Sequence, residues 1–309
     1  MLRYVLGRLA GTVPVLFGVT LLVFAMTLLT PGDRVVALLG DAAQGIGQSA
    51  REELRRELGL DRPLPLQYVD YVAGLVRGDL GVSARSRRPV SAEILDRLPA
   101  TIELAFAGLA IAVLVGVSLG VLAAVRRGSW VDSAAVVVAL VGVSVPVFWM
   151  GFLFMMLFAL ELGWLPASGR GTWRHLVLPA ATVGIASAAF IARITRGAVI
   201  ETLAQDYVRT ARAKGARERR VVLRHALRPA ALPIVTVVGL QLGGLLGGAV
   251  LTETVFAWPG VGRLLVDAIV ARDLPVVQGS VLVVALIFIS VNLLVDVSYA
   301  AINPKVRYG

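Results

Sequence analysis

Residues 206–233 read DYVRTARAKGARERRVVLRHALRPAALP. Arg209, Arg212, Lys214, Arg217, Arg219, Arg220, Arg224 and Arg228 stand there against Asp206 and Glu218. Residues 176–192 carry no charge, and neither do residues 229–252. A basic helix pinned between two apolar spans faces the cytoplasm by the positive-inside rule. It is a surface that a cytoplasmic partner can grip, and the remaining chain is organised around it.

Working outward, the composition places the chain in a membrane. Of its 309 residues 57% are hydrophobic, and the mean hydropathy is +0.81. Soluble domains rarely reach that average. The absence of cysteine excludes disulfides, thiolate metal sites and a cysteine nucleophile. His175 and His225 lie too far apart, and are too few, for a histidine-based zinc site. A net charge of +10 would suit nucleic acid, but the 206–230 stretch offers only Tyr207 for stacking on bases, so nucleic acid is excluded as a partner. No GxxxxGK[ST] phosphate loop and no catalytic constellation occur, so the chain is expected to be no enzyme, with no cofactor or metal of its own.

Six apolar runs are long enough to cross the hydrocarbon core, which takes about 20 helical residues. They fall at 9–29, 104–124, 134–160, 176–195, 230–251 and 278–301. The third is long enough to tilt as one helix. The first is too long for the apolar part of a signal peptide and is expected to be retained. With the N-terminus inside, the inner segments hold 16 Lys or Arg and 4 acids, and the outer ones 14 basic and 15 acidic residues. The excess positive charge therefore sits on one side, facing anionic lipid.

The segment 31–103 should be a large outer piece. Ser49 and Glu52 form a capping box opening a short helix with Leu54 and Leu58 on one edge, and Gly59 stops it. A second helix is expected at 67–77, and Ser91 should cap a helix leading into the second span. This piece reads either as a packed external cap or as a receiver of substrate. Gly239, Gly243 and Gly247 repeat at i, i+4 in the fifth span, spacing that lets helices approach closely in lipid. They pack either within this chain or against a second subunit. Gln241 there is a candidate for a path or gate, as is Glu253, although Glu253 and Glu103 also read as solvated boundary residues. Trp258, Pro259 and Gly260 predict a turn, followed at 261–271 by an amphipathic helix with Val261, Leu264, Leu265, Ala268 and Ile269 on its apolar face. Asp296, inside the sixth span, needs a partner. Arg193 and Arg196 at comparable depth predict a structural ion pair rather than a proton relay.

With these features the chain resembles the permease subunits of bacterial ATP-binding cassette importers. Their cytoplasmic loop carries an EAA motif, a Gly four residues after its second Ala, and then Ile-x-Leu-Pro. Ala211, Gly215 and Leu227 fit that pattern. Arg209 and Thr210 replace Glu and the first Ala, His225 replaces Ile, and Pro229 falls one place late. The closer resemblance is to the dipeptide, oligopeptide and nickel permease branch. It rests on GDLGVS (78–83), LPATIELA (98–105), SVPVFWMG (144–151), ARAKG (211–215), LRHALRPAALP (223–233), LTETVFAWPGVGRLL (251–265) and LVDVSYAAINPKVRYG (294–309). The long first outer loop is similar to that of the branch's first permease.

The resemblance implies an all-α integral membrane protein of the bacterial inner membrane. It would have six transmembrane helices, the type I ABC-importer permease fold and both termini in the cytoplasm. Its parts would be an N-terminal segment and first span (1–30), an extracytoplasmic loop (31–103) and a core of five spans (104–309) carrying a coupling loop at 198–230. It would form half of a translocation path with a second permease. Two cytoplasmic ATPase subunits would bind ATP and Mg, and an external lipoprotein would deliver cargo. Di- and oligopeptides are the first expectation for that cargo, with nickel, glutathione or another small solute as alternatives. Arg209, Ala211, Arg212, Lys214, Gly215, His225 and Leu227 would contact one ATPase. A proton-coupled transporter would want several intramembrane acids and inverted repeats, and a membrane scaffold or sensor would transport nothing.

Overall fold

A bilayer offers backbone N–H and C=O groups no outside partner, so apolar spans close their hydrogen bonds internally as helices. The computed structural model of the chain describes residues 2–29, 35, 47–57 and 59–302. Its helices are α1 (Leu2–Leu29), α2 (Gln48–Glu57), α3 (Leu64–Val76), α4 (Val90–Val125), α5 (Trp130–Ser144), α6 (Val147–Phe154), α7 (Trp173–Leu203), α8 (Asp206–Ala213), α9 (Leu227–Gly248), α10 (Val250–Val255), α11 (Val261–Val270) and α12 (Leu274–Ile302). Leu58 and the last residues of the 294–309 motif lie outside the described residues. Among the described residues five helices are long and apolar enough to cross a membrane, and a sixth apolar stretch is a bent helix pair, the geometry of a broken span or a re-entrant loop.

That bent pair corrects the expectation of a single tilted third span. α5 and α6 meet at 101°. The break lies at Val145-Pro146, where Val145 is extended (φ −81, ψ 125). Proline pushes its predecessor out of the helical region and has no N–H to continue the ladder. α6 then runs on through a π-helical turn at Met155–Glu161.

Smaller expectations shift by a residue or more. α2 starts at Gln48 and α4 at Val90, so Ser49 and Ser91 lie in first turns rather than at caps. α4 continues unbroken through Pro99 into the second span. Gly59 ends α2 as expected: it has φ +63, its N–H bonds to Arg56 O, and the N–H of Leu60 bonds to Arg55 O. The expected turn at 258–260 sits earlier, at Phe256-Ala257, with Ala257 at φ 49 and Trp258 buried. α11 buries Val261, Leu264 and Ala268 as its pattern predicts, whereas Ile269 is exposed.

The chain divides into two units. The first comprises Leu2–Thr101 and Pro259–Ile289. Its core joins Val90 and Ile94 of α4 to Val261, Leu264 and Ala268 of α11 and to Val276 and Val277 of α12. The side-chain amide of Gln278 donates to Val23 O (3.0 Å) and Thr27 Oγ1 (2.7 Å), tying α12 to α1. Asp273, just before α12, is 4% exposed. It accepts hydrogen bonds from Ser83 Oγ (2.6 Å) and from the N–H groups of Ala84 and Arg85 (both 3.2 Å). One buried carboxylate thus holds the glycine-rich 78–90 segment. Asp273→Ala leaves those three donors and the N–H of Val276 without an acceptor, at about 1–3 kcal/mol for each that stays buried. Trypsin should then cut after Arg85 and Arg87 faster by about tenfold or more. An unchanged cleavage rate would show that the clasp holds nothing.

The second unit comprises Ile102–Trp258 and Ser290–Gly309. Here α4 presents Gly108, Ala112, Gly116 and Gly120, and α7 presents Ala180, Gly184, Ala188 and Ala192, each at i+4 spacing. The helices meet along these two rows. A Cβ on Gly116 would lie 2.7 Å from Ala188 O, one on Gly120 2.6 Å from Ala192 O, and one on Gly184 2.7 Å from Gly108 O. Close backbone approach is how helices gain dispersion contact where lipid gives no hydrophobic drive. Of the glycine repeat read in the fifth span, Gly239 packs within the chain, against Val295 of α12, and Gly244, beside the repeat, has open space where a Cβ would be.

Candidate functional site

The basic stretch is not one helix. α7 ends at Leu203, Gln205 is extended, and α8 runs from Asp206 to Ala213. The chain then reverses at Gly215, which has φ +78. Gly215 N–H bonds to Arg212 O (2.9 Å) and Ala216 N–H to Ala211 O (3.1 Å), the paired bonds of a Schellman stop. Nothing lies within 4 Å of where a Cβ would be, so its positive φ, not crowding, is what calls for glycine. From Glu218 the chain is helical again, passing through a π-helical stretch at Val221–Ala226 into α9.

The knuckle so formed is rigid for identifiable reasons. Val208 and Val221 are fully buried. Tyr207 Oη donates to His225 O at 3.2 Å. Across the turn Arg212 forks onto Glu218, with Nη2–Oε1 at 2.6 Å and Nε–Oε2 at 3.2 Å. Donating to the Glu218 carboxylate pushes the Arg212 pKa further above its ordinary value. At the base, Ala226, Ala230 and Ile234 pack with Val199 of α7 and Ala124 of α4. The knuckle is therefore continuous with the core of three long helices.

Its outer face is cationic. Arg209, Lys214, Arg217, Arg219, Arg220, Arg224 and Arg228 are exposed, while Ala211, His225 and Leu227 are half-buried beneath them. The structure brings together every residue expected in the coupling loop. It does not bring them to Gln241, half-buried within α9, or to Glu253. Glu253 corrects an expectation: it is 1% exposed, not solvated, in α10 beside buried Thr252, Phe256 and Trp258.

The ion pair expected for Asp296 is also corrected. Arg196 forks onto Asp132 instead, with Nε–Oδ1 at 2.6 Å and Nη2–Oδ2 at 2.8 Å. Asp132 lies in the first turn of α5, which Ser129 caps, and its Oδ2 also accepts from Gly128 N–H at 3.0 Å. Those bonds aim the carboxylate at α7. Arg193 is exposed, and Asp296 is half-buried in α12. In the sequence Asp132 counts only among the four acids of the inner segments, although Ser129-x-x-Asp132 is itself a capping signature. Asp132→Asn should lower the melting temperature of the detergent-solubilised chain. Arg196→Lys should lower it less, because lysine keeps the charge and loses the fork. Equal melting temperatures for wild type and Asp132→Asn would show the pair to be ornamental.

A second cluster had no sequence signal. Arg170 Nη2 lies 2.6 Å from Glu103 Oε2, and its guanidinium sits 5.7 Å above the ring of buried Trp258. Gly169 N–H donates to Phe256 O at 2.8 Å. These contacts clip the loop before α7 to the α10 turn. His175 is also structural: its Nδ1 accepts from the N–H of Thr172 at 3.1 Å. No cluster of His, Asp or Glu among the described residues could hold a metal ion.

Comparison with known proteins agrees with this architecture. Residues 116–308 match the family described as binding-protein-dependent transport system inner membrane component, and residues 1–105 match its N-terminal family. The glutathione transport system permease protein GsiC of Escherichia coli O6:H1 is 47% identical over 308 residues, covering 100% of both chains. The protein of the same name from Pectobacterium atrosepticum is 48% identical over the same length. Among solved structures, the inward-facing MetNI methionine ABC transporter aligns with 68% of this chain and 96% of its own, at a TM-score of 0.60 and 17% identity. An amino acid ABC transporter aligns with 68% and 94%, at 0.55 and 14%. The five to six apolar spans, the fold and both family matches converge: this multi-pass chain belongs to the binding-protein-dependent transport system inner membrane components, the permeases of ABC importers.

Proposed function

We propose that this chain is one of two permease subunits lining a translocation path, and that the 206–230 knuckle is where a cytoplasmic ATPase grips it. The observation that carries the reading is the knuckle itself: a cationic, rigid helix–turn–helix fused at its base to α4, α7 and α9. A force on such an element moves three long helices as one body, which is how a nucleotide-driven closure switches access. ATP and Mg belong to the partner ATPases, and cargo arrives on an external binding lipoprotein. Gln241 and buried Glu253 are the candidates for path or gate. The cargo is peptide-like, with glutathione first because the relatives at 47–48% identity carry that name. Di- and oligopeptides come next, then nickel.

The test is reconstitution of the chain with its genomic neighbours in vesicles. Glutathione uptake should require ATP, the binding protein and both permeases. Uptake by the chain alone would overturn the reading, and uptake of nickel without glutathione would overturn the cargo.

A further inference from the structure

Three helices of the second unit leave an apolar groove with a cationic rim. Its walls come from Gly120 and Ala123 on α4, Ala135 and Ala139 on α5, and Ala192 and Gly197 on α7. Small side chains on all three helices open a volume of about 330 Å³. Arg193 and Arg196 line the same groove. Arg196 is committed to Asp132. Arg193 is exposed, with no ion pair or hydrogen bond among the described residues. The α4–α5 turn adds Arg126 and Arg127, both exposed, directly before the Gly128 N–H that bonds Asp132. Two guanidinium groups thus line the groove and two more lie on the turn that holds Asp132, and that carboxylate binds the one on Arg196. Beside them Trp130 is 80% exposed, an indole placed as those at headgroup depth are.

We propose that this groove holds an acyl chain of an anionic phospholipid, with the headgroup phosphate on Arg193 and the α4–α5 turn. Size and charge select that occupant. A helix about 10 Å across would fill 330 Å³ with about 4 Å of its length, too little to dock. A single acyl chain fits an apolar slot between helices, and water gains nothing there. The rim carries more positive charge than Asp132 neutralises, so a phosphate with net charge is favoured over a zwitterionic headgroup. Basic pockets between spans on the positively charged side of a membrane protein are suited to such headgroups.

The test uses the full chain in neutral detergent, equilibrated with equal amounts of phosphatidylglycerol and phosphatidylethanolamine and read by native mass spectrometry. Wild type should retain phosphatidylglycerol about fivefold or more over phosphatidylethanolamine. Arg193→Gln should cut that preference by about fivefold while leaving the melting temperature unchanged. Ala135→Phe fills the groove from a half-exposed position and should lose both lipids; should it not fold, Arg193→Gln still decides the matter. Excess inorganic phosphate should displace nothing. The proposal fails if wild type shows no preference or if Arg193→Gln keeps it. It fails too if inorganic phosphate releases the lipid, which would make the rim a simple anion site. Loss of the lipid on adding the second permease chain would assign the groove to a protein contact and overturn it as well.

Discussion

Gly120→Leu is expected to leave no folded chain to purify. A Cβ at this position would sit 2.6 Å from Ala192 O and 2.6 Å from Thr195 Cβ. The first is backbone and the second belongs to a fully buried side chain, so neither can swing aside. Overpacking costs about 1–3 kcal/mol where side chains can yield. Here α4 and α7 would have to separate along their whole contact, and the loss should exceed about 3 kcal/mol. That is a large fraction of the roughly 5–15 kcal/mol a fold has in hand. Size-exclusion of the detergent extract should show the monodisperse peak gone. Gly197→Leu, on the partner helix α7 with nothing within 4 Å, should keep it. A wild-type peak from Gly120→Leu would refute the close crossing.

Gly215→Val should separate transport from folding. The position is open, so the variant meets no clash and should be made at the wild-type level. A β-branched residue at φ +78 is another matter. The left-handed region costs an ordinary L-residue about 1–2 kcal/mol and a β-branched one more. About 2 kcal/mol is roughly a thirtyfold bias against the turn that sets α8 against the helix after it. Uptake in reconstituted vesicles should fall about tenfold or more, and less ATPase should co-purify. Gly215→Asn should retain most activity, since asparagine visits that region readily. Full uptake with Gly215→Val would detach the knuckle from the mechanism.

The apolar stretches and the cationic knuckle were legible because each rests on composition over many residues. Length and hydropathy mark a span whatever it packs against, and a run of arginines between two spans marks a loop. What failed were readings of partner choice. Asp296 looked isolated in a span, so nearby arginines were assigned to it. The actual partner, Asp132, was concealed by its place at a loop edge, and only the geometry of its capped turn aims it at Arg196. The facing rows on α4 and α7 were present as glycines and alanines four apart, yet the fifth span's denser glycines drew the eye. Glu253 read as solvated because a helix end usually is, and nothing local shows that Phe256 and Trp258 are buried beside it. Pro146 did announce its break, but the uninterrupted apolar length outweighed it.

That break sets an order of assembly. α5, and α6 with its π-helical extension, each rise about 22 Å, while a hydrocarbon layer is about 30 Å thick. Neither limb can lodge across a bilayer unaided, and a sharp elbow exposes main-chain groups that lipid cannot satisfy. The helix both limbs lean on, α7, is synthesised after them. During biogenesis this stretch must therefore linger at the translocon or the interface until its later-made wall arrives.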